Sequence, residues 1–221
     1  MKKQFLLLAS IIVSTLAIAQ SKPSFGIRAG LSSAGMRGDA MNSLQNILEF
    51  TNGRISTSNH TGFFGGGYAT IPLGNIVSLE PAMYYTQRGY EMKGALGIKN
   101  VEFLGVNAKA KLDAHYIDVP LLLKASINGL QLFAGPQVSY LAQADLRTTA
   151  GVLGINLLNR KMDATEQFNR WDAGVTGGVG YQFANGFNVM AAYDHGLSRM
   201  DANKSVNSYN RSFKVGVGYS F

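Results

Sequence analysis

Eight charged residues fall on the polar side of alternating segments: Arg28, Glu80, Arg88, Asp118, Lys124, Asp172, Asp194 and Lys214. Four are cations and four are carboxylates. Two chemistries are open to such a set. Carboxylates held together can exchange protons, as in acid–base catalysis or a proton path. Opposite charges can instead neutralise one another inside a protein, where an ion is tolerated only when paired and hydrogen-bonded. The spacing favours pairing. Counted from the turns, Glu80 and Lys124 stand at similar heights on adjacent strands. So do Arg88 with Asp118, and Asp194 with Lys214.

The histidines offer less. His60, His115 and His195 lie on different segments and lack metal-ligand spacing. His195, near Ser198, is the best enzyme candidate, because a lipid-modifying barrel would use an outward His and Ser at that depth. Asp194 faces the wrong way to orient it, and an interfacial histidine is the simpler reading. Gly174 to Gly180 imitates a dinucleotide fingerprint but lies inside an alternating strand. Gly65-Gly66-Gly67 has no following helix and no Lys-Ser/Thr, so it reads as a thin strand rather than a phosphate cradle. No catalytic, cofactor or metal site is expected.

The elements that carry the charges have a period of two. From Tyr209 to Phe221, Tyr209, Arg211, Phe213, Val215, Val217, Tyr219 and Phe221 share one face. Asn210, Ser212, Lys214, Gly216, Gly218 and Ser220 share the other. Similar alternation predicts strands over 24–32, 60–71, 76–89, 114–127, 130–143, 171–183 and 187–197. Pro72 to Asn75, Asn128-Gly129 and Ala184 to Gly186 are short turns. Longer loops are predicted over 33–59, 90–110, 144–168 and 198–208, the second of them a loop alone or a loop with an outward extension of its strands, and Met41, Leu44, Ile47 and Leu48 suggest a short amphipathic helix in the first.

Eight strands joined alternately by long and short connections predict an all-β fold. It is an eight-stranded antiparallel transmembrane β-barrel with short periplasmic turns and long extracellular loops. Apolar faces would turn to lipid, and the charges would form a lumenal network. Of Tyr84, Tyr85, Trp171, Tyr181, Phe183, Phe187, Tyr193, Tyr219 and Phe221, those with outward phase would form aromatic girdles.

Composition agrees. The chain is 46% hydrophobic and 15% charged, with 26 Gly and 10% aromatic residues. Lys2 and Lys3, an apolar core and Ala17-Ile18-Ala19 read as a signal peptide over 1–19, leaving a single barrel domain over 20–221. Removing those two lysines lowers the formal charge from +7 to +5, and no basic stripe suggests nucleic acid. With no Cys there is no disulfide framework.

Lys214, Gly216, Tyr219 and Phe221 resemble the C-terminal assembly signal of outer-membrane barrels. Further motifs are L-E-P-A-M-Y-Y-T-Q-R-G (79–89), H-Y-I-D-V-P-L-L-L-K (115–124), F-A-G-P-Q (133–137), W-D-A-G-V-T-G-G-V-G-Y (171–181) and Y-D-H-G-L (193–197). Together they resemble the PorT-like outer-membrane β-barrel domain family of Bacteroidota. Arg88 stands where that family often has Lys. The resemblance implies an outer-membrane barrel and, for the founding type, secretion and gliding machinery. The functional expectation is a small non-enzymatic protein with a plugged lumen. Its partners would be outer-membrane lipids, the barrel-assembly machinery and an envelope protein reached through the outer loops. A secretion component, a narrow channel and a lipid-modifying enzyme are the alternatives.

Overall fold

The computed structural model describes residues 22–38, 55–96, 106–152, 155–199 and 208–221. Nine strands occur among them: β1 Ser24–Gly38, β2 Ile55–Pro72, β3 Val77–Leu96, β4 Val106–Ile127, β5 Leu130–Val152, β6 Ile155–Asp163, β7 Trp171–Gln182, β8 Phe187–Gly196 and β9 Ser208–Ser220. Every pairing is antiparallel. Eight strands close into a ring, since β1 pairs with β9 and β4 pairs with β5. The additional strand, β6, pairs with the distal part of β5.

Register fixes the geometry of the ring. Starting at Ile117, cross-strand partners run through Tyr85, Gly65, Ala29, Val217, Val189, Tyr181 and Leu130. They return to β4 at Ile127, a stagger of 10 residues. With a rise of about 3.3 Å per residue and strands about 4.8 Å apart, that stagger tilts the strands by roughly 40°. An eight-stranded ring has an interior that side chains can fill.

Short turns, the start of β1 and the end of β9 share one rim. Asn128 and Gly129 both have positive φ, 51° and 87°, as a two-residue hairpin of matching twist requires. Gly186 has φ 90° in the next such turn, and Phe221 N–H donates to Phe25 O at 2.8 Å. At the opposite rim 90–110 takes the extended alternative: β3 continues to Leu96 and β4 begins at Val106. The stretch expected as a loop over 144–168 departs from the expectation, because β5 runs on to Val152. The 144–168 segment holds the distal half of β5, β6 and a single 3-10 turn, Thr165–Gln167. Along the described part of the β5 arm the outward residues are polar, Asp145 and Arg147 among them, so apolar alternation is weak there. The segment 1–19 and the expected helix at Met41, Leu44, Ile47 and Leu48 lie outside the described residues.

Side-chain phase follows the pleat. Val119, Leu121, Val215 and Val217 point outward and are exposed, Val217 to 62%. Ile27, Leu31, Met83, Leu123, Leu132, Val175 and Val179 join them in an apolar outer wall. No helix of the described residues is long and apolar enough to cross a membrane. Tyr140 lies 5.0 Å from Trp171 near the arm-bearing end of that wall. Phe187, Tyr219, Phe221, Tyr181 and Phe183 make ring contacts near the turns. Tyr84 does not join either girdle, because it points inward and is buried.

Inside, large rings sit over glycines. A side chain on Gly30 would meet the Phe64 ring at 2.8 Å, and one on Gly216 would meet it at 2.7 Å. Gly178 makes the same room for Phe133, at 2.6 Å. Small and large inward residues thus alternate to fill a narrow interior. Gly67 differs, because it faces outward and a Cβ there would meet only Gly26 O, at 3.7 Å. Gly30→Val should therefore prevent closure, giving one mobility on a gel whether or not the sample is boiled. Gly67→Val should keep the compact, heat-modifiable band.

Candidate functional site

All eight charges singled out in the sequence point into the lumen and are buried. They form two layers. Near the turn end, β1 supplies Arg28, β3 supplies Glu80 and β4 supplies Lys124. Arg28 Nη1 donates to Glu80 Oε1 at 2.8 Å and to Tyr84 Oη at 2.7 Å. Lys124 Nζ donates to Glu80 Oε2. The Arg28 guanidinium lies 4.2 Å from the centre of the Tyr68 ring. Asn188 Nδ2 donates to Tyr68 Oη at 2.8 Å. Here two cations meet one carboxylate.

The second layer lies toward the arms and has the opposite balance. Asp118 on β4 is fully buried, at 0% exposure. Its Oδ1 accepts from Arg88 Nη2 at 2.7 Å. Its Oδ2 accepts from Thr86 Oγ1 at 2.7 Å and from Lys214 Nζ at 2.8 Å. Lys214 on β9 also reaches Asp194 Oδ2 on β8, at 2.7 Å. Thr176 Oγ1 donates to Asp194 Oδ1 at 2.9 Å. Asp172 accepts from Asn210 Nδ2 at 2.8 Å and lies 4.0 Å from Arg88 Nη1. The Arg88 guanidinium lies 4.5 Å from the Tyr116 ring centre. Two cations here meet three carboxylates, so the lumen as a whole balances although neither layer does.

The three pairs read from strand heights are contacts in the structure: Glu80 with Lys124, Arg88 with Asp118, and Asp194 with Lys214. The groups that complete them were not singled out. Tyr84, Thr86, Ser139, Thr176, Asn188 and Asn210 add further hydrogen bonds to the charged groups. Inward phase on an alternating strand is the signal that could have found them. A buried carboxylate needs more partners than one cation provides.

The packing leaves little room for chemistry. A cavity of about 10 Å³ lies among Arg88, Asp172, Asp194 and Asn210, a volume that accommodates one water at most. Lys214 separates Asp118 from Asp194, so those carboxylates do not form an acid–base pair. Above this layer an apolar cluster of Leu112, Ala114, Tyr116, Leu141 and Ala144 packs against Tyr90, Leu146 and Phe168.

The histidines stay apart from the network. Tyr85 Oη and His115 Nδ1 lie 2.5 Å apart on the outer wall. The half-buried His195 ring is 6.1 Å from Tyr193. Ser198 Oγ accepts from Ala173 N–H at 2.9 Å. His60 falls in β2, and its side chain is outside the described residues. Among the described residues, no three His, Asp or Glu side chains gather in a way that could hold a metal ion.

An interior of paired ions beneath an apolar outer wall suits a barrel whose solvent is hydrocarbon. Residues 18–202 match the family described as outer membrane protein beta-barrel domain. The chain belongs to that family. Three solved structures are similar to it. The attachment invasion locus protein Ail of Yersinia pestis is 14% identical, with 91% of this chain and 100% of that chain covered and a TM-score of 0.46. Neisserial surface protein A is 14% identical over 91% and 100% of the two chains, with a TM-score of 0.45. OprG of Pseudomonas aeruginosa is 14% identical over 90% and 95%, with a TM-score of 0.42. No curated protein matches the chain.

The family places this β-barrel in the outer membrane. A soluble ligand-carrying barrel would show the reverse polarity, with apolar groups inside and charges in solvent. In this outer-membrane barrel, Asp118 holds two cations at once. Breaking a buried ion pair by removing one partner costs about 3–5 kcal/mol. Asp118→Asn should lower the unfolding free energy in micelles by that order. Urea titration followed through Trp171, the chain's one tryptophan, would measure the loss.

Proposed function

We propose that the protein is a small, non-enzymatic outer-membrane barrel with a plugged lumen, acting through the strand arms at its outer end. The supporting observation is Lys214, which sits between Asp118 and Asp194 and ties β9 to β4 across the interior. With Arg88 and the aromatic rings packed around it, a file of water has no continuous course.

The arms are built to hold shape outside the membrane. On their outward side Lys109 pairs with Glu91 at 2.7 Å, Lys111 with Asp113 at 3.0 Å and Lys161 with Asp145 at 3.1 Å. Asp163 Oδ1 accepts from the Thr165 hydroxyl at 2.5 Å and from Thr165 N–H at 2.8 Å. Those bonds hold the Asp163 carboxyl below the ordinary carboxylate range. Their contribution is therefore present at neutral pH and lost as acid protonates the group. Ala144 N–H donates to Thr165 Oγ1 at 3.0 Å, fastening the base of β6 to β5.

An envelope protein docking on these arms is the partner the reading implies. The PorT-like motifs extend it to a place in a secretion or gliding apparatus. During assembly, the outward Tyr219 and Phe221 would be the part of the terminal signal offered to the insertion machinery. Lys214 and Gly216 face the lumen.

Purified protein in planar bilayers should give no discrete conductance steps, and regular unitary steps would overturn the plugged-lumen reading. Deleting residues 147–161 should leave the heat-modifiable barrel intact while abolishing crosslinks to any envelope partner. Unchanged crosslinks would move the interaction away from the β5–β6 arm.

A further inference from the structure

The outer wall is not a uniform apolar surface. A slot of about 480 Å³ is cut into it between β5, β7 and β8, lined by Ala134, Gly135, Pro136, Val175, Gly177 and Tyr193. It is shaped by small residues. A Cβ on Gly177 would meet only Phe133 O at 3.8 Å and Ala134 Cβ at 3.9 Å, so the space in front of that glycine is open. The lining is almost wholly apolar, and the slot opens on the face that meets acyl chains.

Its upper end carries a different chemistry. His195 lines the slot and is the cross-strand partner of Arg211 on β9. Arg211 is exposed, on the side of the barrel away from the short turns. Exposed Arg170 and Arg199 flank β7 and β8 at the same rim, next to Trp171. The carboxylates of these three strands, Asp172 and Asp194, point inward and are buried. Elsewhere on the arms Lys109, Lys111 and Lys161 are each matched by an acid. At this rim Arg211 has no carboxylate in salt-bridge reach among the described residues. Short turns face the periplasm in outer-membrane barrels, which puts the arginine rim at the outer leaflet.

We propose that this slot binds one anionic, phosphate-bearing lipid of the outer leaflet. An acyl chain lies in the groove over Gly177, and Arg211 holds the phosphate beside His195. An apolar slot takes a hydrocarbon chain, and a guanidinium makes charge-assisted, bidentate hydrogen bonds to phosphate oxygens. A cationic rim directly above the slot selects a lipid with both parts. A second slot, of about 540 Å³, supplies an internal control. Its lining includes Ile27, Ala29, Gly65, Val217 and Tyr219, and its one arginine, Arg28, is buried. A Cβ on Gly65 would also meet open space, with Ala29 Cβ 3.7 Å away.

The test is native mass spectrometry of the full barrel in nanodiscs carrying bisphosphorylated lipid A, dephosphorylated lipid A, or neither with added inorganic phosphate. Wild type should retain one bisphosphorylated lipid A through delipidation. Arg211→Glu and Gly177→Leu should each reduce that retention by about tenfold or more, and Gly65→Leu should leave it unchanged. Heat-modifiable mobility of each variant confirms that the barrel is closed. Equal retention of the dephosphorylated lipid would overturn the phosphate contact. Equal loss with Gly65→Leu would show general lipid coating and overturn the site, and capture of inorganic phosphate alone would remove the lipid from it.

Discussion

In hydrocarbon a backbone amide has no water to bond, and an unpaired one costs several kcal/mol. A sheet meets that demand only by having no edge. The β1–β9 and β4–β5 pairings remove the edges that eight strands would otherwise expose. Everything else in the structure follows from closing the ring at this size. The 10-residue stagger sets the strand tilt. The tilt sets the bore, and the bore decides which side chains fit inside.

Within that bore polar and apolar groups are layered. Arg28, Glu80 and Lys124 lie toward the turns, and Phe64 and Phe133 fill the space that glycines leave. Arg88, Asp118, Asp194 and Lys214 form the next layer, and Leu112 with its neighbours closes the arm end. Two of the ion pairs link strands that are not neighbours: Lys214 on β9 reaches Asp118 on β4, and Arg28 on β1 reaches Glu80 on β3. The β9–β4 contact spans the lumen and needs the closed ring, so ion pairing and closure support each other. Replacing the ions with apolar groups could give equal stability. What the ions add is register, because a strand shifted by one residue would turn Lys214 out into lipid.

Much of this was legible in the sequence. Where one face meets lipid and the other meets the lumen, alternation is strong, and the strands around Val119 and Val217 could be placed from it. Charge heights were legible for the same reason, since a two-residue turn such as Asn128-Gly129 ties neighbouring strands to a countable register. The extension of β3 and β4 was legible only as one alternative, and the β5–β6 arm was not legible. Arg147 is exposed there, and a register shift near His115 and Tyr116 interrupts the count on β5. The pairing of glycines with rings was also hidden. Gly30 and Gly216 are far apart in the chain and lie under one phenyl group, which spacing along the sequence does not reveal. The lipid slot needed the surface itself, because its defining residues are the small ones.

Lys214 stands on the final strand, while its two carboxylates arrive earlier, on β4 and β8. A chain emerging in order therefore holds Asp118 and Asp194 with this cation still missing. Pairing β9 with β8 brings it beside Asp194, and closing β9 against β1 brings it to Asp118. The seam and the electrostatic lock thus engage together, which makes the last step of folding a latch rather than a gradual tightening. A barrel left ajar would leave Asp118 short of its second cation, and that carboxylate would itself oppose burial in the bilayer until the final strand slid home.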